Sequence, residues 1–86
     1  SINSLNVSPN PFNSTCRIKF SLIRPGNVEL SLYNVTGALV KKEQLGFLNV
    51  GNHEMGWSPG NLSSGTYFIK TSVTKYSKAT KILYLK

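Results

Sequence analysis

Hydrophobic and polar residues alternate along almost the entire chain, with the period of two that is typical of half-buried β-strands. The alternation is clearest in residues 16–22, where Cys16, Ile18, Phe20 and Leu22 share one side and basic or hydroxyl residues share the other. No segment shows the 3.6-residue period of an amphipathic helix. The pattern therefore predicts an all-β fold.

Turn signals divide the chain into seven short strands. Pro9 and Pro11 end the first strand, because proline donates no hydrogen bond to a sheet. The sequence Arg24-Pro25-Gly26-Asn27 is a strong turn signal and predicts a hairpin between the second and third strands. The predicted strands cover residues 5–7, 16–23, 28–33, 38–45, 53–57, 66–73 and 79–85.

Short strands separated by frequent turns, in a chain of 86 residues, predict an immunoglobulin-like antiparallel β-sandwich. A small barrel is the alternative. The Cys, Trp, Cys pattern of antibody domains is absent, so the likeness concerns architecture only. We expect one domain over residues 1–86, with residues 1–8 as linker or first strand, and the charged centre Lys41-Lys42-Glu43 predicts an edge strand.

The charge is strongly basic, with ten Lys and Arg against three Asp and Glu and a net charge of +7. Such a balance favours contact with anionic surfaces and does not define a fold. The basic residues are scattered on predicted solvent faces, and the aromatic residues lie in strands where burial explains them. No motif of the common nucleic-acid-binding modules is present, so we expect no nucleic acid partner.

Candidate catalytic and metal-binding residues are few. Cys16 is the only cysteine and His53 the only histidine, and both share the side of their strands that is predicted to be buried. The carboxylates Glu29, Glu43 and Glu54 fall on predicted solvent faces, and the chain has no Asp. Acid–base catalysis, triads and metal sites need clusters of these groups. The sequence therefore predicts a non-catalytic domain with no cofactor and no metal.

The chain contains no hydrophobic run long enough to span a membrane. It begins with Ser1 and has no basic leader, so we expect it to be a segment of a longer protein.

Several short motifs occur in one order along the chain. They are Pro9-Asn10-Pro11-Phe12-Asn13-Ser14-Thr15, Ile18-Lys19-Phe20-Ser21-Leu22, Gly26-Asn27-Val28, Tyr33-Asn34-Val35-Thr36-Gly37-Ala38-Leu39-Val40, Gly51-Asn52-His53 with Trp57, Leu62 with Ser64-Gly65-Thr66-Tyr67, and Lys81 to Lys86. Together they resemble the type A C-terminal sorting domain of type IX secretion cargo, an immunoglobulin-like domain of proteins exported by Bacteroidetes and related bacteria. The resemblance covers nearly the whole chain.

The resemblance implies that the domain is an address tag for a larger exported cargo in the same polypeptide. The implied partners are the outer-membrane type IX translocon and a sortase-like peptidase. The implied route passes through the periplasm to the cell surface or the medium. The alternative is an immunoglobulin-like accessory, spacer or adhesion module of an extracellular enzyme.

The resemblance also assigns residues. Recognition by the translocon is implied for the last strand, namely Lys81, Ile82, Leu83, Tyr84, Leu85 and Lys86. Structural roles are implied for Pro9, Asn10, Pro11, Gly65 and Tyr67.

From the residues themselves we expect Tyr67 to pack inward with its hydroxyl bonded near a turn, and Gly65 to supply a backbone angle that other residues avoid. The last strand is expected to be a sheet edge that can pair with a strand of a receptor. The family often has Asp and Arg where this chain has Asn34 and Ala38, which weakens any role of those two positions in recognition.

Overall fold

A computed structural model describes residues 2–86, and its regular structure consists of seven β-strands. The strands are β1 (Ile2–Ser8), β2 (Cys16–Leu22), β3 (Gly26–Asn34), β4 (Leu39–Leu48), β5 (Gly51–Trp57), β6 (Gly65–Val73) and β7 (Tyr76–Tyr84).

The strands form two sheets with the orders β1-β2-β5 and β4-β3-β6-β7, and neighbouring strands within each sheet are antiparallel. The two sheets form a sandwich. This confirms the predicted all-β, immunoglobulin-like architecture.

The alternation of the sequence produces the core. Alternate residues of β2, β3 and β6 point between the sheets, and all of them are buried except Asn34 and Gly65 at the strand ends. Each buried aliphatic or aromatic side chain contributes about 1.5–3 kcal/mol of burial free energy. The buried hydrophobic residues are Ile2, Val7, Phe12, Cys16, Ile18, Phe20, Leu22, Val28, Leu30, Leu32, Trp57, Tyr67, Ile69, Val73, Ile82 and Tyr84. Leu62, in the loop before β6, packs against this core.

The first strand is longer than the predicted residues 5–7 because of a register irregularity. Ile2 and Val7 differ in parity, yet both are buried. The pairing with β2 shifts between Ile2 and Ser4, and such a bulge returns the first residue of the strand to the core face.

The hairpin predicted around residues 24–27 is wrong. β2 pairs with β1 and β5, whereas β3 pairs with β4 and β6, so the turn carries the chain from one sheet to the other. The crossing brings Gly26 against β6, where an added Cβ would lie 2.6 Å from Cγ2 of Val73. Turn residues reverse the chain, but they do not determine which sheet the next strand joins.

The strand β4 is an edge strand, as its charged centre predicts, but it continues to Leu48 instead of ending near residue 45. Gly46 has φ of +86° and coincides with a shift in register against β3, so the strand passes through the irregularity and goes on. Lys41 points inward with its Nζ 5.9 Å from the ring centroid of Trp57. An inward charge on an edge strand opposes pairing with another chain.

The sandwich has two poles, separated along its longest dimension of 35 Å. The N-terminal pole carries the start of β1 and residues 23–25, 49–50 and 74–75, which connect successive strands. The C-terminal pole carries the end of β7 and residues 9–15, 35–38 and 58–64. The first strand therefore begins at one pole and the last strand ends at the other.

Candidate functional site

The last strand divides its side chains between the core and the solvent. Ile82 and Tyr84 are buried, whereas Lys81, Leu83 and Leu85 are exposed. β7 pairs with β6 along its whole length, from Val73 and Tyr76 to Gly65 and Tyr84, and this pairing sets the alternation. Of the recognition residues implied by the resemblance, the buried pair can serve only the core, and the exposed ones are available to a partner.

The proline-rich segment after β1 runs along the outer edge of β7. We call residues 9–12 the latch segment. Asn10 Nδ2 donates to the Lys81 carbonyl at 3.0 Å, and Asn10 Oδ1 accepts from the Leu83 amide at 3.0 Å. The Phe12 amide donates to the Leu83 carbonyl at 3.1 Å, and the Phe12 carbonyl accepts from the Leu85 amide at 2.9 Å. The side chain of Asn10 and the backbone of Phe12 thus bond to the edge of β7 as a short neighbouring strand would.

The latch segment corrects the prediction that the last strand offers a free edge at its terminus. β7 is an edge strand of its sheet, but the outward backbone groups of Leu83 are both occupied by the latch segment, as are the Lys81 carbonyl and the Leu85 amide. A receptor strand could pair there only if the latch segment left. With the latch in place, the terminal half of β7 can be recognised only through its exposed side chains.

Phe12 anchors the latch segment in the core. Its side chain is buried and lies against two other aromatic rings, with centroid distances of 5.2 Å to Tyr84 and 6.3 Å to Trp57. Tilted aromatic pairs at such distances stabilise a fold beyond their burial alone. The latch is therefore held both by hydrogen bonds at the edge and by packing in the core.

The loop before β6 fastens the other side of the same pole. Tyr67 is buried, and its hydroxyl donates to the Ser63 carbonyl at 2.7 Å, which is the inward, turn-bonded arrangement expected from the sequence. Ser64 Oγ accepts from the Lys86 amide at 2.7 Å. Gly65 has φ of +157°, and an added Cβ would meet nothing within 4 Å, so backbone conformation and not crowding accounts for this glycine. The end of the chain is thus bonded to the loop that the tyrosine shapes.

The exposed residues of β7 belong to a larger surface, the outer face of the four-stranded sheet. Cross-strand pairing aligns Leu39, Tyr33, Phe68 and Lys81 in one row across the sheet. Residues directly opposite each other in antiparallel strands share a face, so Leu83, two residues after Lys81, lies on it as well. The row thus combines three apolar or aromatic side chains with Lys81 of β7.

Basic side chains accompany this apolar row. Lys70 lies one row further along, with its Nζ 6.0 Å from the ring centroid of Tyr33. Lys42 is 3.6 Å from Glu29 Oε1 on the same face. Since Lys70 and Lys81 are not ion-paired among the described residues, the surface is suited to an apolar partner that carries carboxylates.

The two candidate reactive groups are structural. Burial raises the pKa of the Cys16 thiol to about 11, so the thiol stays protonated and unreactive at neutral pH. His53 stacks on Phe20 at a centroid distance of 5.5 Å, and its Nε2 lies 2.7 Å from the Asn49 carbonyl oxygen. These contacts agree with the half-buried histidine that the sequence predicts.

The described residues contain no cluster of three or more His, Cys, Asp or Glu side chains that could hold a metal ion. An open cleft of about 370 Å³ lies between Ser4, Lys19 and His53. Within residues 2–86 no helix is long and apolar enough to cross a membrane.

Two features of the site were not predicted from the sequence. The side-chain amide of Asn10 bonds to β7 as the backbone of a neighbouring strand would. The only sign of this in the sequence is an asparagine between two prolines. Phe12 lies in the core although it occurs in a polar loop, where a large aromatic residue is itself a signal of burial.

Comparison with known proteins identifies what this arrangement is similar to. A family model described as the secretion system C-terminal sorting domain matches residues 6–85, which is nearly the whole chain. This match confirms the resemblance predicted from the motifs. No curated protein matches the chain.

Among solved structures, the chain is similar to PorZ, an essential surface component of the type-IX secretion system of Porphyromonas gingivalis. The TM-score is 0.63 at 18% sequence identity, and the match covers 95% of this chain. It covers 11% of PorZ, so the likeness concerns a small part of that protein. At this identity the likeness supports the fold.

Proposed function

This chain belongs to the family of secretion system C-terminal sorting domains, and we propose that it is the part of a longer exported protein that the type IX translocon recognises. The domain is a sorting signal of type IX secretion, and such signals are in general not catalytic. Our proposal concerns the partners, the route and the residues that this chain uses.

The observation that carries the proposal is the division of the last strand. Ile82 and Tyr84 hold the strand in the core, so that Lys81, Leu83 and Leu85 are presented at fixed positions. Presentation on a rigid sheet lowers the entropy lost on binding compared with a flexible tail. We assign recognition by the outer-membrane translocon to these exposed side chains and to Lys86.

The outer face of the four-stranded sheet extends the recognition surface. Tyr33 and Phe68 are half-buried in the row that ends at Lys81, and aromatic residues are enriched in protein interfaces. The fitting partner surface is apolar with acidic side chains. Lys70 and Lys81 would then favour encounter through charge complementarity.

The structural residues Pro9, Asn10, Pro11, Gly65 and Tyr67 act in this proposal by holding the last strand in place. The cargo is transported through the periplasm, and a sortase-like peptidase acts on the polypeptide that precedes the domain. The final product is located at the cell surface or in the medium. The domain itself performs no catalysis.

A reporter fusion tests the proposed function. Residues 1–86 are fused to the C-terminus of a periplasmic reporter and expressed in a host with the type IX machinery. We expect the reporter at the cell surface or in the medium, and in the periplasm of a host that lacks the translocon. The same fusion without Leu85 and Lys86 is expected to stay in the periplasm.

A spacer or adhesion module would give a different result. The reporter would then stay in the periplasm of both hosts, and that outcome would contradict the proposal. Surface display of the truncated fusion would show instead that the translocon does not need Leu85 and Lys86 for recognition.

A further inference from the structure

β5 is an edge strand of the three-stranded sheet, and its outer edge has no backbone partner among the described residues. It pairs with β2 from Gly51 to Trp57, and no other described backbone group bonds to it. In an antiparallel pair, every second residue of an edge strand directs its amide and carbonyl groups away from its neighbour. These groups are available to a further strand, which would extend the sheet beyond β5.

Of the four edge strands in the described part of the chain, the other three have features that oppose pairing with another chain. β4 shifts its register twice against β3 and directs Lys41 inward. β7 has Lys78 opposite the buried Thr71, on the core side of the sheet, and the latch segment covers its terminal half. β1 contains a register shift and lies next to β7.

β5 has none of these protective features. Its register against β2 is regular, and it contains no proline, lysine or arginine. Its core side carries His53 and Met55, which are half-buried. Its single charged residue, Glu54, lies on the solvent face and is ion-paired with Arg17 and Lys19. Because natural proteins commonly protect free edges, this unprotected edge is a candidate site for strand addition.

Gly56 is a second indication of strand addition at β5. Its φ is not positive, and an added Cβ would meet nothing within 4 Å, so neither conformation nor crowding within the chain requires glycine. Glycine in the interior of a strand often marks a place where another backbone approaches closely. A strand added to β5 would provide such a backbone.

An apolar groove runs alongside the free edge of β5. It has a volume of about 220 Å³ and lies between β5 and β4, which are not paired with each other. We call it the side groove, and its lining residues are Phe20, Leu45, Leu48, His53, Glu54 and Met55. Leu45, Leu48 and Met55 pack against the core but are only partly buried. The sandwich is therefore open on this side.

The side groove has room for one large apolar side chain. An apolar cavity of roughly 150 Å³ in a protein core can hold a benzene molecule, and the side groove exceeds that volume. A strand added to β5 would place alternate side chains on the face of His53 and Met55, which borders the groove. The edge and the groove thus fit one ligand, an extended polypeptide with an apolar residue at every second position.

The opposite side of the sandwich has the same type of contact, made within the chain. There the latch segment bonds to the edge of β7 and inserts the buried Phe12 into the core, against Tyr84. We propose that the free edge of β5 and the side groove bind an extended segment of a partner polypeptide in the corresponding way. The segment adds a fourth strand to the three-stranded sheet and inserts a large apolar side chain between Leu48 and Met55.

The proposed site is separate from the surface that we assign to the translocon. β5 belongs to the three-stranded sheet, whereas the last strand and the outer face beside it belong to the four-stranded sheet. A strand on β5 therefore leaves the last strand accessible. The inference goes beyond the proposed function and does not rest on it.

The test uses a synthetic peptide and the 86-residue chain. The probe is acetyl-Lys-Thr-Val-Thr-Phe-Thr-Val-Thr-Lys-amide, in which the apolar residues share one face of a strand. Amide chemical shifts and hydrogen exchange in NMR spectra report binding. We expect slower exchange of the outward amides of β5 in the presence of the probe, and no change for those of β7, because strand addition protects the amides that it bonds.

Two modified peptides test the backbone pairing. One carries N-methyl groups on the amides of its Val and Phe residues, and the other carries them on the amides of its Thr residues. Because only one edge of a strand faces β5, one modified peptide should bind about ten-fold more weakly, and the other should bind like the probe. Equal binding of the two would contradict pairing with the edge.

Leu48→Ser tests the side groove. Leu39→Ser is the matched control, because Leu39 is 51% exposed on the same strand and lies opposite Tyr33 on the outer face. We expect about ten-fold weaker binding of the probe to Leu48→Ser and unchanged binding to Leu39→Ser. A probe with Ser in place of Phe tests the same contact on the unsubstituted chain, and it should also bind about ten-fold more weakly.

Three further results would overturn the inference. One is the absence of binding at millimolar concentrations of the probe. Another is binding of decanoate that depends on Leu48, without binding of the probe, which would make an acyl chain the ligand. The third is protection of the β5 amides that rises with protein concentration in the absence of peptide, which would make a second copy the occupant. None of these experiments measures export, so failure of the inference is distinguishable from failure of the proposed function.

Discussion

The Oδ1 atom of Asn10 accepts a hydrogen bond from the backbone amide of Leu83, 73 residues later in the chain, at 3.0 Å. The same side chain donates to the Lys81 carbonyl, so one side-chain amide occupies backbone groups of two residues of the last strand. The start of the domain is thereby bonded to the last strand, which we propose is recognised by the translocon.

Asn10→Ala should lower the free energy of unfolding by about 1–2 kcal/mol, because it removes two hydrogen bonds that each contribute about 0.5–1.5 kcal/mol. Asn10→Asp should have a smaller effect, since the carboxylate can still accept from Leu83. Urea denaturation measures both. Asn13→Ala is the control, because the Asn13 side chain makes no hydrogen bond with the described residues. Equal stability of Asn10→Ala and the parent domain would contradict the structural role of the latch.

Lys81→Ser and Leu83→Ser should each reduce export of the reporter fusion by about ten-fold, equivalent to about 1.4 kcal/mol of binding. Neither should change the melting temperature by more than about 2–4 °C, because both side chains are exposed and such substitutions change stability by no more than about 0.5 kcal/mol. Lys78→Ser, an exposed lysine in the first half of the same strand, should export normally. Normal export of Lys81→Ser and Leu83→Ser would move recognition away from this part of the strand.

Tyr67→Phe should cost about 1 kcal/mol through the loss of the hydrogen bond to Ser63, and Tyr67→Ala about 3–5 kcal/mol through the loss of a core aromatic. Export of Tyr67→Phe should remain near normal. Calorimetry and the reporter assay together test this. If Tyr67→Ala kept its stability and lost export, Tyr67 would be a contact residue of the translocon instead.

Thr71→Val should stabilise the domain by about 1 kcal/mol. The Thr71 hydroxyl is buried and has no hydrogen-bond partner among the described residues, and valine keeps the shape while removing the unpaired group. Thr71→Ser, which keeps the hydroxyl and loses the methyl group, should be destabilising. A valine variant that unfolds at lower urea concentration than the parent would show that the hydroxyl is satisfied.

The stability of the domain should fall as the pH rises from 9 to 11. Burial raises the pKa of the Cys16 thiol from 9.0 to about 11, so between these values the unfolded thiol loses its proton while the folded thiol keeps it. The unfolded state then binds fewer protons, and stability decreases by about 2–3 kcal/mol over the range. Below pH 9 the contribution of this group is constant.

Cys16→Val is the control for this pH dependence, since it removes the thiol and leaves every other side chain of the domain unchanged. The difference in urea midpoint between pH 8 and pH 11 should be larger for the parent domain than for the valine variant. The same drop in both would show that Cys16 has no part in it.

Local patterns predicted much of the fold. The alternate spacing of Cys16, Ile18, Phe20 and Leu22 was sufficient to assign the buried face of β2, because the residues on one face of a strand occupy every second position in the sequence. The edge position of β4 followed from its charged centre. These features depend on residues that are close together in the chain, so their pattern is visible in the sequence.

The features that the sequence did not reveal depend on distant residues. The hairpin at residues 24–27 was wrongly predicted because sheet membership is determined by packing of the whole sandwich. The pairing of Asn10 and Phe12 with β7 could not be predicted for the same reason. Because of this pairing, the candidate site is a set of exposed side chains and not an open strand edge. The family resemblance assigns recognition to the last strand, and the structure adds that Lys81, Leu83, Leu85 and Lys86 are its exposed residues among those named.

The order in which the chain is synthesised gives the latch a further consequence. Asn10 is synthesised before its partners Lys81 and Leu83, which lie 71 and 73 residues later in the chain. A chain that ends before β7 lacks Tyr84, against which Phe12 packs, and lacks the backbone groups that bond to Asn10 and Phe12, so the latch segment loses all of these hydrogen bonds. The latch can therefore form only in a polypeptide that includes β7, and its hydrogen bonds distinguish such a polypeptide from one that is truncated before this strand.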